Sequence, residues 1–205
     1  MTTDKVREYY QSTLQSEARA DFKFALSQVQ TGKTAIDCGC GAGSNIKHLR
    51  NEGYAVYAFD IDAESIALCK RQFADDPHVF LTQASFGSFD YPTAALVIAD
   101  ASLFFCPTNE LEITIAKIEK SLLPQGIFYG SFLGEKDTMA DENYNHEDYW
   151  GDVLVLTEIQ IKHLLKHFEF LKWTEFEQDG LTPSGELHHW HIFSVVAKLK
   201  TSFEQ

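Results

Sequence analysis

The chain has 205 residues and a formal net charge of −13, enough length for one domain with a full core and too little for two independent ones. Such a charge repels polyphosphates and anionic membranes at long range, which argues against DNA, RNA or a lipid surface as the main partner. No apolar run is long enough to cross a bilayer, and the opening Met1-Thr2-Thr3-Asp4-Lys5 has no signal-peptide character, so a cytoplasmic protein is expected.

Residues 4–30 read as two helical pieces. Val6, Tyr9, Tyr10 and Leu14 recur at helical spacing, and Phe22, Ala25, Leu26 and Val29 do the same. This N-terminal part, residues 1–31, is expected to cap a sheet built from residues 32–200 of one domain spanning 1–205. The pivotal stretch follows: Thr34 to Cys38 is a short apolar strand carrying Asp37, and Gly39-Cys40-Gly41-Ala42-Gly43 leads into an amphipathic segment from Asn45 to Arg50. That is strand, tight turn and helix N-terminus, where glycine permits positive φ and close approach of backbone to a ligand. The dinucleotide fingerprint G-x-G-x-x-G would need its third glycine where Ser44 stands; the third is instead Gly43.

Downstream, Gly53 is a C-cap signal, Tyr54 to Asp60 a second strand, and Asp62 the N-cap of a helix through Phe73. Val79 to Gln83 is a third strand. Ala94 to Ala99, apolar throughout, reads as a central parallel strand. A helix from Glu110 to Leu122 and a fifth strand from Ile127 to Leu133 complete an alternation that means right-handed crossovers and helices on both faces. The last third differs. Thr157-x-x-Gln160 is a capping box, Phe168 to Glu177 a strand, Gln178 to Gly185 a polar loop, and His189 to Leu199 a closing strand, hence an antiparallel pair appended to a parallel sheet.

The four cysteines form no disulfide framework. Cys38-Gly-Cys40 has no second cysteine pair or His-x-x-His to complete a zinc set, so no metal is expected. Asp60, an acceptor-only carboxylate at a strand's C-terminal end, suits a vicinal diol, with a helix cap or surface acid as the alternative.

With these pieces in register, the chain resembles the class I S-adenosylmethionine (SAM)-dependent methyltransferases, specifically the small bacterial family related to the tellurite-resistance methyltransferase. The likeness rests on Ile36 to Gly43, Tyr57 to Asp60, Phe132 to Asp137 and His189 to Phe193. It implies an α/β fold: a three-layer, Rossmann-like, mostly parallel sheet with an antiparallel final strand and an N-terminal helical cap. It also implies SAM as cofactor, held by Asp37, Cys38, Gly39, Cys40, Gly41 and Gly43 at the methionine part, Asp60 at the ribose and Ile61 at the adenine. Ser85, Phe86 and Asp100 complete the expected set. The acid that often follows the third strand in this family is missing at Ala84-Ser85-Phe86, so adenine would be held by Ser85, a backbone carbonyl or stacking.

The resemblance further implies methyl transfer to a small-molecule acceptor, such as a soft anion like a chalcogen oxyanion, or a thiol. A SAM- or S-adenosylhomocysteine-binding module without turnover and an NAD(P)-dependent oxidoreductase remain alternatives. In an open parallel sheet the ligand edge is at the strands' C-terminal ends, and the closing strand starts there. His189 and His191 would share one face, with His188 and Trp190 on the other. Should the acceptor carry a proton, Tyr10, His189 and His191 are candidate bases; with no carboxylate or cysteine expected nearby, the histidines read more simply as core or rim residues, and His163 and His167 as one helix face. Residues 135–152 read as a lid or as a solvated acidic excursion, and Tyr9 and Tyr10 as lid or core residues.

Overall fold

A computed structural model describes residues 4–13, 16–142, 144, 153–182 and 185–201. Of the expected 135–152 loop, residues 143 and 145–152 lie outside the described residues.

Seven strands form one sheet in the order β3-β2-β1-β4-β5-β7-β6. They are β1 (Thr34–Cys38), β2 (Ala55–Asp60), β3 (Val79–Gln83), β4 (Ala94–Ala99), β5 (Leu122–Leu133), β6 (Phe168–Leu181) and β7 (Leu187–Leu199). The first five run parallel, and β7 enters antiparallel between β5 and β6. The expected parallel sheet with an antiparallel end is therefore the one observed. Alternation along each strand builds two cores. Ile36, Val97 and Phe128 face α5 (Leu111–Ser121) and α6 (Glu158–Leu164), which contribute Ile115 and Ile161. Ala35, Leu96 and Tyr129 face α2 (Ala20–Gln28), α3 (Ser44–Asn51) and α4 (Ala63–Gln72), which contribute Phe22, Ile46 and Ile66. Every residue of β4 is buried, as its all-apolar sequence demands.

Helix signals act as read. Asp62 accepts from the Glu64 amide at the start of α4, and Thr157 and Gln160 cap α6 reciprocally. Of the leading helices, α2 packs on β5 and β7 within the layer. Helix α1 (Asp4–Thr13) instead places Val6 and Tyr10 against Ala42, over the glycine turn.

Two strands are longer than their composition suggests. β5 begins at Leu122, before Pro124-Gln125-Gly126, because the chain pairs with Ala94, shifts register, and resumes at Leu96↔Ile127; Gln125 takes the left-handed conformation in between (φ 62). β6 runs on through Gln178-Asp179-Gly180, the stretch expected as loop. Its backbone is paired there by Leu187 to Trp190, and the Trp190 ring covers the bare face of Gly180. The β6–β7 ribbon thus projects beyond Leu133, where β5 ends.

Candidate cofactor and acceptor site

The site begins with the turn after β1. Gly39 has φ +73, and a Cβ there would lie 2.6 Å from the Ser102 Cβ; Gly43 has φ +84, and a Cβ would lie 2.9 Å from the Phe73 ring. Neither position accepts a side chain, on backbone or on steric grounds. Ser102, just past β4, locks the arrangement by donating its hydroxyl to the Cys38 carbonyl at 2.6 Å.

Four of the five amides from Gly39 to Gly43 are engaged within the protein. Gly39 and Cys40 both donate to the Phe59 carbonyl at 2.9 Å, Gly43 to the Cys40 carbonyl at 2.9 Å, and Gly41 to Asp60 Oδ2 at 2.9 Å. A pyrophosphate-binding turn presents its amides to the ligand. Here the turn presents a close backbone surface instead, which matches the glycine spacing in disfavouring a dinucleotide.

Three carboxylates surround this surface. Asp60 is pinned by two backbone donors, Gly41 on Oδ2 and Asp62 on Oδ1 at 2.9 Å, and the Ser65 hydroxyl also acts on it. Burial raises its pKa, and those two backbone bonds oppose the shift. Ile61, beside it, is 69% exposed, an open apolar side chain next to this acid. Asp37 is 1% exposed; Oδ1 accepts from Asn45 at 3.4 Å, while Oδ2 has no partner. Burial, reinforced by Asp100 and Asp60, pushes its pKa up to about 7. Asp100 accepts from Arg19 at 3.0 Å and from the Ser131 hydroxyl at 3.4 Å. Ser131 in turn receives the amide of Ala101, a non-glycine residue held at φ 50. An orphaned buried carboxylate oxygen calls for a cationic donor. The donor set therefore fits a ligand bringing a diol to Asp60 and an ammonium to Asp37, as SAM does.

The other expected binders lie in or near this wall. The Cys38 side chain is buried in the sheet core, and the Cys40 thiol sits 4.0 Å from that of Cys69 and 3.9 Å from the Ser65 hydroxyl. Burial raises the Cys38 thiol well above its ordinary range. The Cys69 contact, with burial, does the same for Cys40. Ser85 shapes a small turn with Ser88, its amide donating to the Ser88 hydroxyl at 2.9 Å. Phe86 packs edge-on against Phe59, 5.5 Å between centroids, as a core residue.

Each of the candidate bases is already paired with an acid. The Tyr10 hydroxyl donates to Asp62 at 3.0 Å, and burial together with the Asp60 and Asp62 charges pushes its pKa far up, so it stays protonated. Its ring lies over Gly41, where a Cβ would be 3.6 Å away, so Tyr10 covers the turn; the Tyr9 side chain is outside the described residues. His191 is level with a point five residues beyond Val196, which the register Asp37↔Ile98↔Tyr129↔Val196 aligns with Asp37. At strand spacings that is roughly 16 Å along the sheet and roughly 14 Å across it, and His189 is farther still. The start of the closing strand is thus not beside the turn, because the ribbon overshoots the sheet.

The extended β6 brings a carboxylate to each of the ribbon histidines His189 and His191, and Asp137 does so for His188. His191 Nε2 meets Glu175 at 2.9 Å, His189 Nδ1 meets Asp179 at 2.7 Å, and His188 Nε2 meets the buried Asp137 at 3.0 Å. The spacing Glu175-x-Glu177-x-Asp179 is a one-face strand signal that could have revealed them. Glu175, Glu177 and His191 lie close enough to hold a cation. However, His191 Nδ1 accepts the Lys136 amide at 3.2 Å, so Nε2 carries the proton and cannot ligate, and the Lys136 ammonium already sits 2.7 Å from Glu177. Arg19, 81 residues from its partner Asp100, left no sequence signal. Two surface hollows, one lined by Val29, Leu123 and Gly126 and one by Arg50, Arg71 and Asp76, include no residue of the turn in their lining.

Residues 35–126 match a family model described as a methyltransferase domain. A carboxy-S-adenosyl-L-methionine synthase of Vibrio atlanticus (strain LGP32) is 26% identical over 124 residues, 57% of this chain and 50% of that protein, so the match spans about half the length of this curated relative. Among solved structures, TehB from Haemophilus influenzae superposes with a TM-score of 0.71 at 14% identity, covering 95% of this chain and 67% of TehB. The 1,6-didemethyltoxoflavin-N1-methyltransferase of Burkholderia thailandensis, solved with 1,6-didemethyltoxoflavin and S-adenosylhomocysteine bound, gives 0.67 at 16% identity over 95% of this chain and 82% of that one. With its turn and antiparallel closing strand, the chain has the fold of the class I SAM-dependent methyltransferases, resembling TehB, and residues 35–126 match a methyltransferase domain.

Proposed function

We propose that the chain binds SAM across the β1 turn and transfers its methyl group to a small-molecule acceptor. The observation that carries this reading is the unpartnered, buried Oδ2 of Asp37 at the start of a turn whose Gly39 and Gly43 admit no side chain, with Asp60 one strand away. Bound there, SAM would supply an electrophilic methyl on a sulfonium.

The chain's own residues would bind, orient and exclude water. Asp60, held by the Gly41 and Asp62 amides, is preset to accept both hydroxyls of a ribose without reorganising. Ile61 offers its exposed side chain to the adenine. Asp37 and Asp100 provide negative charge for the ammonium. Arg19, fixed on Asp100, brings a guanidinium to the same end, suited to a carboxylate. Tyr10, donating to Asp62 over Gly41, closes the turn from solvent as a lid residue. No base is assigned: Tyr10 is protonated, and the ribbon histidines are distant and acid-paired. An acceptor proton would leave through solvent.

The name of the curated relative supports a second reading, in which SAM itself is the molecule modified. Incubation with SAM and a panel of small acceptors, followed by mass spectrometry, separates the two. S-adenosylhomocysteine together with a methylated acceptor supports methyl transfer, whereas a mass gain on SAM supports the second reading. Tight SAM binding with neither product would leave a binding module without turnover.

A further inference from the structure

Resting on the SAM-binding reading for its consequence, we propose that Cys40 and Cys69 are a modification site. A hydroperoxide joins them as a reversible disulfide, and the closure withdraws the β1 turn from the cofactor. The two sulfurs stand 4.0 Å apart, one on the turn and one on α4, 29 residues away in sequence. Cys69 is fully buried and Cys40 is 7% exposed, so a small oxidant reaches the pair through Cys40. The Ser65 hydroxyl, one helical turn before Cys69, lies 3.9 Å from the Cys40 sulfur, which sets that sulfur against the α4 face between the two. The turn is shaped around the Cys69 sulfur. It meets the Gly41 carbonyl at 3.4 Å, and a Cβ on Gly43 would lie 3.0 Å from it. The Cys106 sulfur meets instead the Thr114 hydroxyl and the Pro107 carbonyl.

The step balances with the hydroperoxide as its one co-reactant. The Cys40 thiolate attacks a peroxide oxygen, the O–O bond breaks, and the departing oxygen takes up a proton, leaving a sulfenic acid on Cys40. The Cys69 sulfur then attacks that sulfur, the S–O bond breaks, and the oxygen leaves as water. The pair is oxidised by two electrons and the peroxide reduced by the same two. Closure draws the sulfurs from 4.0 Å to about 2 Å. Gly41 is held on both sides, its carbonyl by the Ser65 hydroxyl at 2.7 Å and its amide by Asp60 Oδ2 at 2.9 Å. The displacement therefore falls on Cys40, whose amide shares the Phe59 carbonyl with that of Gly39. That backbone is the surface on which the cofactor would lie, so the oxidised turn fits it less well. By linkage, bound cofactor opposes closure to the same degree.

The test treats the reduced full chain with hydrogen peroxide. Intact mass should show the loss of two hydrogens, and a non-reducing digest should join the Cys40 peptide to the Cys69 peptide. The amide resonances of Gly39 to Gly43 should shift and return with dithiothreitol. Calorimetry should show SAM affinity lowered about tenfold or more by oxidation, and saturating S-adenosylhomocysteine should slow the oxidation. Cys106→Ala, which leaves the pair intact, should respond as wild type does. A stable sulfinic acid on Cys40 without the link, or a link to Cys38 or Cys106, overturns the proposal. So does a Cys40–Cys69 link that leaves the turn's resonances and SAM affinity unchanged. The reduced chain is titrated with SAM first. If SAM does not bind, the cofactor reading falls separately, and the peptide map and the amide shifts judge the modification site by themselves.

Discussion

Replacing Asp37 by Asn removes the buried titrating group under the turn while keeping an oxygen for Asn45 to donate to. In the folded chain the pKa of Asp37 is pushed up to about 7, against about 3.9 for an aspartate in an unfolded chain. Between those values the native state holds more protons than the unfolded state, so stability falls as pH rises. The contribution is fully present below about pH 4 and lost as pH climbs through about 7. Three units at about 1.4 kcal/mol each give a loss of about 4 kcal/mol from this one group, a large share of a typical domain's stability. An Asn side chain does not titrate. The stability of Asp37→Asn relative to wild type should therefore rise by about 4 kcal/mol between pH 4 and pH 8, whatever constant cost its unsatisfied amide adds. Urea unfolding of both proteins across that range, without ligand, measures it. A difference that stays flat within about 1 kcal/mol would refute the assignment of Asp37 as a buried, unpaired acid.

Three further outcomes follow from the same geometry. Asp60→Ala should weaken SAM binding by about 1.5–3 kcal/mol, the worth of hydrogen bonds to a charged group, and unchanged calorimetric affinity would reject its role at the ribose. Gly39→Ala should cost about 2–5 kcal/mol of stability, because it combines a left-handed backbone with a Cβ 2.6 Å from that of Ser102, and a chemical-denaturation midpoint near wild type would contradict the packing. Tyr10→Phe should leave the shape of the pH–rate profile for methyl transfer unchanged, since the phenol is a protonated donor to Asp62; loss of a basic limb would restore Tyr10 as a base.

Much of the scaffold was readable because local signals there agree with the tertiary outcome. The apolar run of β4, the glycine spacing after Asp37 and the caps Asp62 and Thr157 each specify one local structure, and the sheet uses all of them. The ribbon was misjudged where composition and context conflict. Gln178-Asp179-Gly180 has turn chemistry, but cross-strand pairing and the Trp190 ring hold it extended. That single misreading hid the acidic face opposite His189 and His191 and brought the histidines too near the cofactor. Other parts of the site have no local signature at all. The Arg19–Asp100 pair and the Ser102 bond to Cys38 join residues 81 and 64 apart, and only the folded sheet brings them together. The internal satisfaction of the turn's amides likewise depends on the Phe59 carbonyl, which belongs to the neighbouring strand.

The most direct test of the central claim is a calorimetric titration of the wild-type chain with SAM, repeated with NADH, at pH 7 in two buffers of different ionisation enthalpy. The account predicts one SAM site per chain, no NADH binding, and a SAM heat that differs between buffers because Asp37 gives up part of a proton as the ammonium arrives. NADH binding in place of SAM, or SAM binding with no proton release, would contradict it.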